Sequence, residues 1–179
     1  MNYTLLAYVV SILLLLWVAI HPASHVVVLR EESREEALIT MYWLVVNSLA
    51  SQDFQTTLES QYRLLDQRIA PVPDRVVVDY YVQEEYHKEA RVRVHYSWGW
   101  EEVYVLLKVE VLERSERRDP VLGLVKYVKL RVSTDTPTLY EFRAERIVGE
   151  KRYVDGTVEV EYTGVLVFED SRGFTITIG

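Results

Sequence analysis

Four histidines and several adjacent glutamate pairs are the first side chains to consider for holding a metal or moving a proton. His21 and His25 are four apart, so on a helix they would face one way and could share a metal ion. Pro22 lies between them and no third ligand is legible nearby, which leaves two polar residues at the end of an apolar segment. His87 and His95 stand among charged neighbours, His95 in a polar row with Arg91 and Arg93, as on a solvated strand face. Glu31-Glu32, Glu84-Glu85 and Glu101-Glu102 are adjacent, and adjacent side chains of an extended strand point to opposite faces. General acid–base chemistry needs carboxylates converging across a cleft, and these spacings do not supply it. There is no cysteine, hence no thiolate nucleophile, disulfide or iron–sulfur site. No Gly-Lys phosphate loop, dinucleotide fingerprint, nucleophile elbow or His-Glu-x-x-His motif occurs, and the seven glycines are not clustered. The expectation is no catalytic residue, no metal and no cofactor.

Recognition chemistry is better represented. Tyr96-Ser97-Trp98-Gly99-Trp100 is followed by Tyr104, and Tyr80, Tyr81 and Tyr86 precede it. Indole and phenol rings give rigid, amphipathic contact area, so Trp98, Trp100 and Tyr104 are candidates for a docking surface. The same pattern also suits cross-strand packing that pins a sheet register, and Trp98 and Trp100 could rest on a bilayer surface. If they dock a partner, their replacement by Ala should weaken the complex and leave the fold intact. The final GFTITIG is short, uncharged and β-branched. At a sheet edge, Phe174, Ile176 and Ile178 would belong to a strand able to pair with another chain, unless the fold covers it. A third arrangement is an apolar pocket lined by Tyr42, Trp43, Tyr80 and Tyr104.

The elements that would carry these groups begin with an apolar run. Residues 3–20, YTLLAYVVSILLLLWVAI, contain no charge, and as a helix they span about 27 Å at ~1.5 Å per residue, close to a hydrocarbon core of ~30 Å. Tyr3, Leu5, Tyr8, Leu13, Leu16, Trp17 and Ile20 are the expected anchor residues, with aromatics near both ends. A cleaved signal peptide would need a basic n-region and small residues at a cleavage site, and the segment offers neither. Arg30 and Arg34 after the segment lean toward a cytoplasmic domain by charge count, whereas the lack of an enzymatic motif favours an extracytoplasmic one, which is the expectation adopted.

Ser33-Arg34-Glu35-Glu36 matches a capping box and predicts a helix start. The following stripe of Leu38, Tyr42, Val45 and Leu49 is amphipathic. Ser51 or Asp53 can cap a second helix carrying Leu58, Tyr62, Leu65 and Ile69, ended by Pro71 and Pro73. From Arg75 the period becomes two. Val76, Val78, Tyr80 and Val82 form one row, Ala90 to Tyr96 another, and Val103 to Val111 a central strand. Further rows follow at Leu122–Val132 and Tyr140–Ala144, and Asp155-Gly156 is a hairpin turn. Seven or eight strands with short links and no intervening helix predict an antiparallel sheet, cone or sandwich, in an α+β fold. The expected organisation is an anchor and linker over 1–30, a helical pair over 31–71 and a β domain over 72–179.

With 27 acidic and 20 basic side chains the formal charge is −7, which disfavours nucleic acid as a partner. Arg is three times as frequent as Lys, with only two Asn and two Met, a composition that suits a heat-adapted source. Residues 37–58, ALITMYWLVVNSLASQDFQTTL, resemble the opening of nuclear-transport-factor-like cone domains: an aromatic-rich helix, an Asn-Ser-x-x-x-x-Asp-Phe break and a second helix before a curved sheet. Behind one membrane helix, that order is similar to the bitopic inner subunit of type IV secretion and conjugation machines. The resemblance implies a non-catalytic assembly platform. An apolar N-terminal helix before a β-rich head also resembles type IV pilins and their archaeal relatives, without their basic leader and processing site. The expected function is a single-pass membrane scaffold that contacts the bilayer through residues 3–20 and binds other protein subunits, self-association included. A filament subunit and a small-ligand or enzymatic pocket are the alternatives.

Overall fold

Pro22–Ala50 forms a single helix, α1, although a start is expected at Ser33. The chain before Ser33 is already helical, so the amides that a capping box would satisfy lie inside the helical ladder. The computed structural model describes residues 22–65 and 71–179, with the side chains of α1 described from Arg34 onward. The expected anchor residues Tyr3, Leu5, Tyr8, Leu13, Leu16, Trp17 and Ile20 lie outside the described residues, as do His21 and Ile69. Among the described residues no helix is long and apolar enough to cross a membrane.

Ala37, Met41, Val45, Val46 and Leu49 are the buried residues of α1's stripe. Leu38 and Tyr42, expected on the same stripe as Val45 and Leu49, sit at its margin and are only partly buried. The second helix, α2 (Phe54–Arg63), is capped by Asp53, which accepts from the Thr56 amide at 3.1 Å and the Thr56 hydroxyl at 2.8 Å. The last turn of α1 leaves carbonyls without intrahelical donors. Gln83 of the sheet supplies them, its side-chain amide donating to Leu49 O at 3.1 Å and to Ser51 O.

Among the described residues nine strands follow, one or two more than the sequence pattern predicts. They are β1 (Arg75–Gln83), β2 (His87–Tyr96), β3 (Gly99–Asp119), β4 (Gly123–Thr134), β5 (Tyr140–Arg143), β6 (Arg146–Val154), β7 (Thr157–Thr163), β8 (Leu166–Asp170) and β9 (Thr175–Ile178). A six-stranded sheet has the order β1-β2-β3-β4-β7-β6, and a three-stranded sheet the order β5-β8-β9. All pairings are antiparallel, and with the two helices they make an α+β fold. Asp155 and Gly156 have φ of 47° and 71° at the β6–β7 turn, the left-handed conformation that a two-residue hairpin needs.

Two bulges break the alternation on which the strand pattern rests. In β1 the register shifts between Val78 and Tyr80, so Val78 faces buried Val92 while Tyr80 sits opposite exposed Arg91. Tyr80 therefore leaves the row of Val76 and Val78, and Tyr81 turns inward to pack its ring 4.7 Å from that of Phe54. In β3 the shift lies between Val111 and Glu113, and Arg114 comes to face buried Val128 across the pair. An extra residue reverses the facing of everything beyond it.

β3 has 21 residues and is shared along its length. One edge pairs with β2 over Gly99–Lys108, the other with β4 over Leu107–Asp119. The two flanks of the sheet are thus staggered along this strand. One hydrophobic core joins Met41 and Val45 of α1, Val92, Val105 and Leu130 of the large sheet, and Phe142, Phe168 and Ile176 of the small one.

Candidate functional site

Because β4 reaches only as far as Leu107, the β3 edge between Gly99 and Leu106 has no strand beside it among the described residues. A groove of about 480 Å³ runs along it, lined by Leu38, Ile39, Tyr42 and Trp43 of α1, by Glu102, Val103 and Tyr104 of β3, and by Asp135 and Thr136. Ile39 and Trp43 are 58% and 43% exposed, so its helical wall is an open apolar surface. Three of the four residues expected to line a pocket, Tyr42, Trp43 and Tyr104, meet here. Tyr80 does not, because β1 lies beyond β2, on the side of β3 away from the open edge.

The closed end of the groove is built on a buried ion cluster. The Arg172 side chain is 3% exposed and contacts Asp135 at 2.6 Å and Asp170 at 2.8 Å, carboxylates that are themselves 5% and 0% exposed. Arg172 also donates to Leu106 O at 3.1 Å and to the Tyr42 hydroxyl at 3.3 Å. Asp135 accepts in addition from Tyr42 at 3.0 Å and from the Leu106 amide at 2.9 Å. Asp170 accepts from the amides of Arg172 and Phe174 at 2.9 and 3.1 Å. Burial opposes the Arg172 charge, but hydrogen bonds to Tyr42 and Asp170 more than offset it and raise its pKa. With every carboxylate engaged by several donors, the cluster ties α1, the β4–β5 link and the β8–β9 turn together. The sequence pattern shows Ser171-Arg172-Gly173 only as a turn. No spacing signal relates Arg172 to Asp135, because tertiary folding alone brings them together.

The outer face of β1–β2–β3 holds a second cluster. Glu89 accepts from Tyr80 at 2.5 Å and Tyr104 at 3.0 Å, and its other oxygen lies 2.7 Å from His87 Nε2. The Tyr80 hydrogen bond, chief among these contacts, holds the Glu89 carboxyl below its ordinary pKa. Burial, then the hydrogen bond to Glu89, pushes the Tyr104 phenol up to about 12. A stabilised carboxylate is a weak base and a phenol so shifted a reluctant acid, so the pair holds its protons in place. Arg91 lies 5.6 and 5.5 Å from the Tyr80 and Tyr104 ring centres, and Arg93 lies 5.8 Å from that of Trp100. Arg93 also grips Asp79, the bulge residue, through Nε and Nη2 at 2.6 to 3.0 Å.

The other expected contact residues divide. Trp100 is 49% exposed, its ring centre 5.0 Å from that of His95. Trp98 packs against the core, stacked on Tyr96 at 4.5 Å and 10°, and its buried indole N–H has no partner among the described residues. Tyr104 is partly buried and engaged by Glu89. Phe174, Ile176 and Ile178 are buried in the core, which removes their side chains from any docking surface. Tyr86 also donates to Thr177 O of β9 at 3.0 Å, and Arg114 to Gly179 O just beyond it. Among the described residues no three His, Asp or Glu side chains converge in a metal-binding arrangement. No protein-family model, curated protein or solved structure matches this chain.

Proposed function

We propose that this chain is a single-pass membrane protein whose α+β domain is a non-catalytic scaffold for other proteins. The observation that carries this reading is the construction of α1. It is one helix of 29 residues, Pro22–Ala50, and in the sequence the uncharged segment 3–20 lies just before it. Its second half is gripped by the domain through buried Ala37, Met41, Val45 and Leu49, and Arg34 pairs with Glu101 at 2.6 Å. A segment 3–20 held in a bilayer would therefore hold the domain through a stiff element rather than a flexible linker. The exposed Ile39, Trp43 and Trp100 supply apolar area for partners. The titratable clusters are tied up in internal hydrogen bonds, in keeping with a non-catalytic role.

The test is fractionation of the full chain after expression. It should remain in the membrane pellet through alkaline carbonate extraction, and deletion of residues 3–20 should release it. Recovery of the full chain in the soluble fraction would refute the anchor. A Ser171→Cys variant, the only cysteine in the chain, then reports the side. Labelling of intact cells by an impermeant maleimide is expected for an extracytoplasmic domain, and labelling only after lysis would reverse that orientation.

A small-ligand site is the second reading, favoured by the groove where Tyr42, Trp43 and Tyr104 meet. It predicts an apolar ligand that quenches Trp43 fluorescence.

A further inference from the structure

Backbone direction makes the groove more than an apolar depression. In an antiparallel strand the N–H and C=O of one residue point to the same edge, and successive residues alternate between edges. The Val109 amide donates to Tyr86 O at 2.9 Å, which puts the odd-numbered residues of this part of β3 on the β2 edge. The Leu106 amide donates to Asp135 Oδ1 at 2.9 Å, which puts the even-numbered ones on the other. Tyr104 and Glu102 therefore aim their amides and carbonyls into the groove, where no described strand meets them. At Leu106 the ladder ends, with the Asp135 carboxylate taking the N–H and the C=O accepting from the Asp135 amide at 3.4 Å and from Arg172 at 3.1 Å. Among the described residues nothing pairs with the rungs beyond this end cap.

We propose that the β3 edge between Trp100 and Leu106 is a strand-addition site, which takes an extended segment of a partner polypeptide against the apolar flank of α1. This rests on the reading of the chain as an interaction subunit and names its contact. Vacant donors and acceptors repeating along a strand edge are matched by another extended backbone. Running antiparallel to β3, the segment would take the line that β4 leaves at Thr134. Its side chains opposite Val103 and Val105 turn inward toward Ile39 and Trp43 and should be apolar. The side chain opposite Glu102 lies on the outer face and should be basic, since opposite charges across a strand pair are favourable.

A second copy is a poorer occupant. Arg34 meets Glu101 and Tyr42 meets the Asp135 loop beside Leu106, so α1 runs in the same direction as β3. Two β3 edges paired antiparallel about a two-fold axis would send their α1 helices, and the segments before them, in opposite directions. Two anchors could not then enter one bilayer from the same side.

The test uses the full chain in detergent micelles. First, amide hydrogen exchange is read residue by residue on the free protein. Glu102 and Tyr104 should exchange at least tenfold faster than Val103 and Val105. Random twelve-residue peptides displayed on phage are then selected on the immobilised protein, and enriched sequences are synthesised as probes. Enriched peptides should alternate apolar and polar residues and slow the Glu102 and Tyr104 amides at least tenfold. Ile39→Lys and Trp43→Glu, both at exposed positions, should weaken the peptide at least tenfold. Glu102→Pro removes one groove N–H outside the β2 ladder, and should abolish binding while Val103 and Val105 stay protected. Failure to enrich any peptide, or binding that leaves the two amides unchanged, would overturn the proposal. So would slow exchange at both residues in the free chain: if independent of concentration, the edge is already covered, and if rising with concentration, a second copy covers it. The membrane reading is judged separately by fractionation, so an anchored chain with unresponsive amides loses only the strand-addition site.

Discussion

Removing Arg172 would leave two buried carboxylates without their cation. The guanidinium is enclosed between two buried aspartates, and removing one partner of a buried pair leaves uncompensated charge costing about 3–5 kcal/mol. Arg172→Ala should lose that much in urea unfolding. Arg172→Lys should recover only part of it, because an ammonium cannot reach Asp135, Asp170 and Leu106 O in the planar arrangement of a guanidinium. A loss below about 1 kcal/mol for Arg172→Ala would show the cluster to be dispensable. Glu89 gives a pH signature. Its carboxyl is held below its ordinary value in the folded state, so its stabilisation is complete above the unfolded pKa near ~4.3 and fades as pH falls through the folded value. Tyr80→Phe removes the principal donor and should cost about 1 kcal/mol at pH 7. Urea unfolding at pH 7 and pH 3 should show the gap between variant and parent narrowing at the lower pH. A gap that widens there would contradict the assignment.

At the scale of elements, the aromatic turn between β2 and β3 separates into a packing half and a surface half. Trp98 stacks on Tyr96, whose hydroxyl donates to Ala37 O of α1 at 3.3 Å. Trp98→Ala should therefore cost about 3 kcal/mol by leaving a cavity, whereas Trp98→Phe keeps most of the stack and loses no hydrogen bond. Trp100→Ala should leave the melting temperature nearly unchanged. Thermal melts of the three variants decide this, and equal losses at Trp98 and Trp100 would refute the division. Only Trp100 is then a clean surface probe, and the expectation that both indoles could be removed without harm to the fold needs this correction. The legibility of each element follows from the range of the forces that make it. A cap at Ser51 or Asp53 and a turn at Asp155-Gly156 are set by local backbone chemistry and were readable as such, and in the structure the cap is Asp53. The facing of Tyr80 and Arg114 was not, because a bulge is decided by the fit of a strand to its neighbours.

For the molecule as a whole, alternation predicts antiparallel strands, but it does not say that they divide into a sheet of six and a sheet of three. Nor does it say that β4 stops short and leaves Gly99–Leu106 of one β3 edge without a strand among the described residues. Residues 103–111 read as a central strand because both faces are apolar enough to be covered. Coverage of faces and pairing of edges are separate matters, since side chains govern the first and neighbouring backbones the second. The amino-acid sequence by itself determined the α+β class, the antiparallel strand run, the cap and the hairpin, since each depends on residues close together in the chain. Tertiary structure alone decided that Arg172 is buried between Asp135 and Asp170, that β9 packs into the core, and that α1 and the β3 edge form a groove. Those features arise where segments distant in the chain meet, and no local spacing encodes which distant segment will be the neighbour.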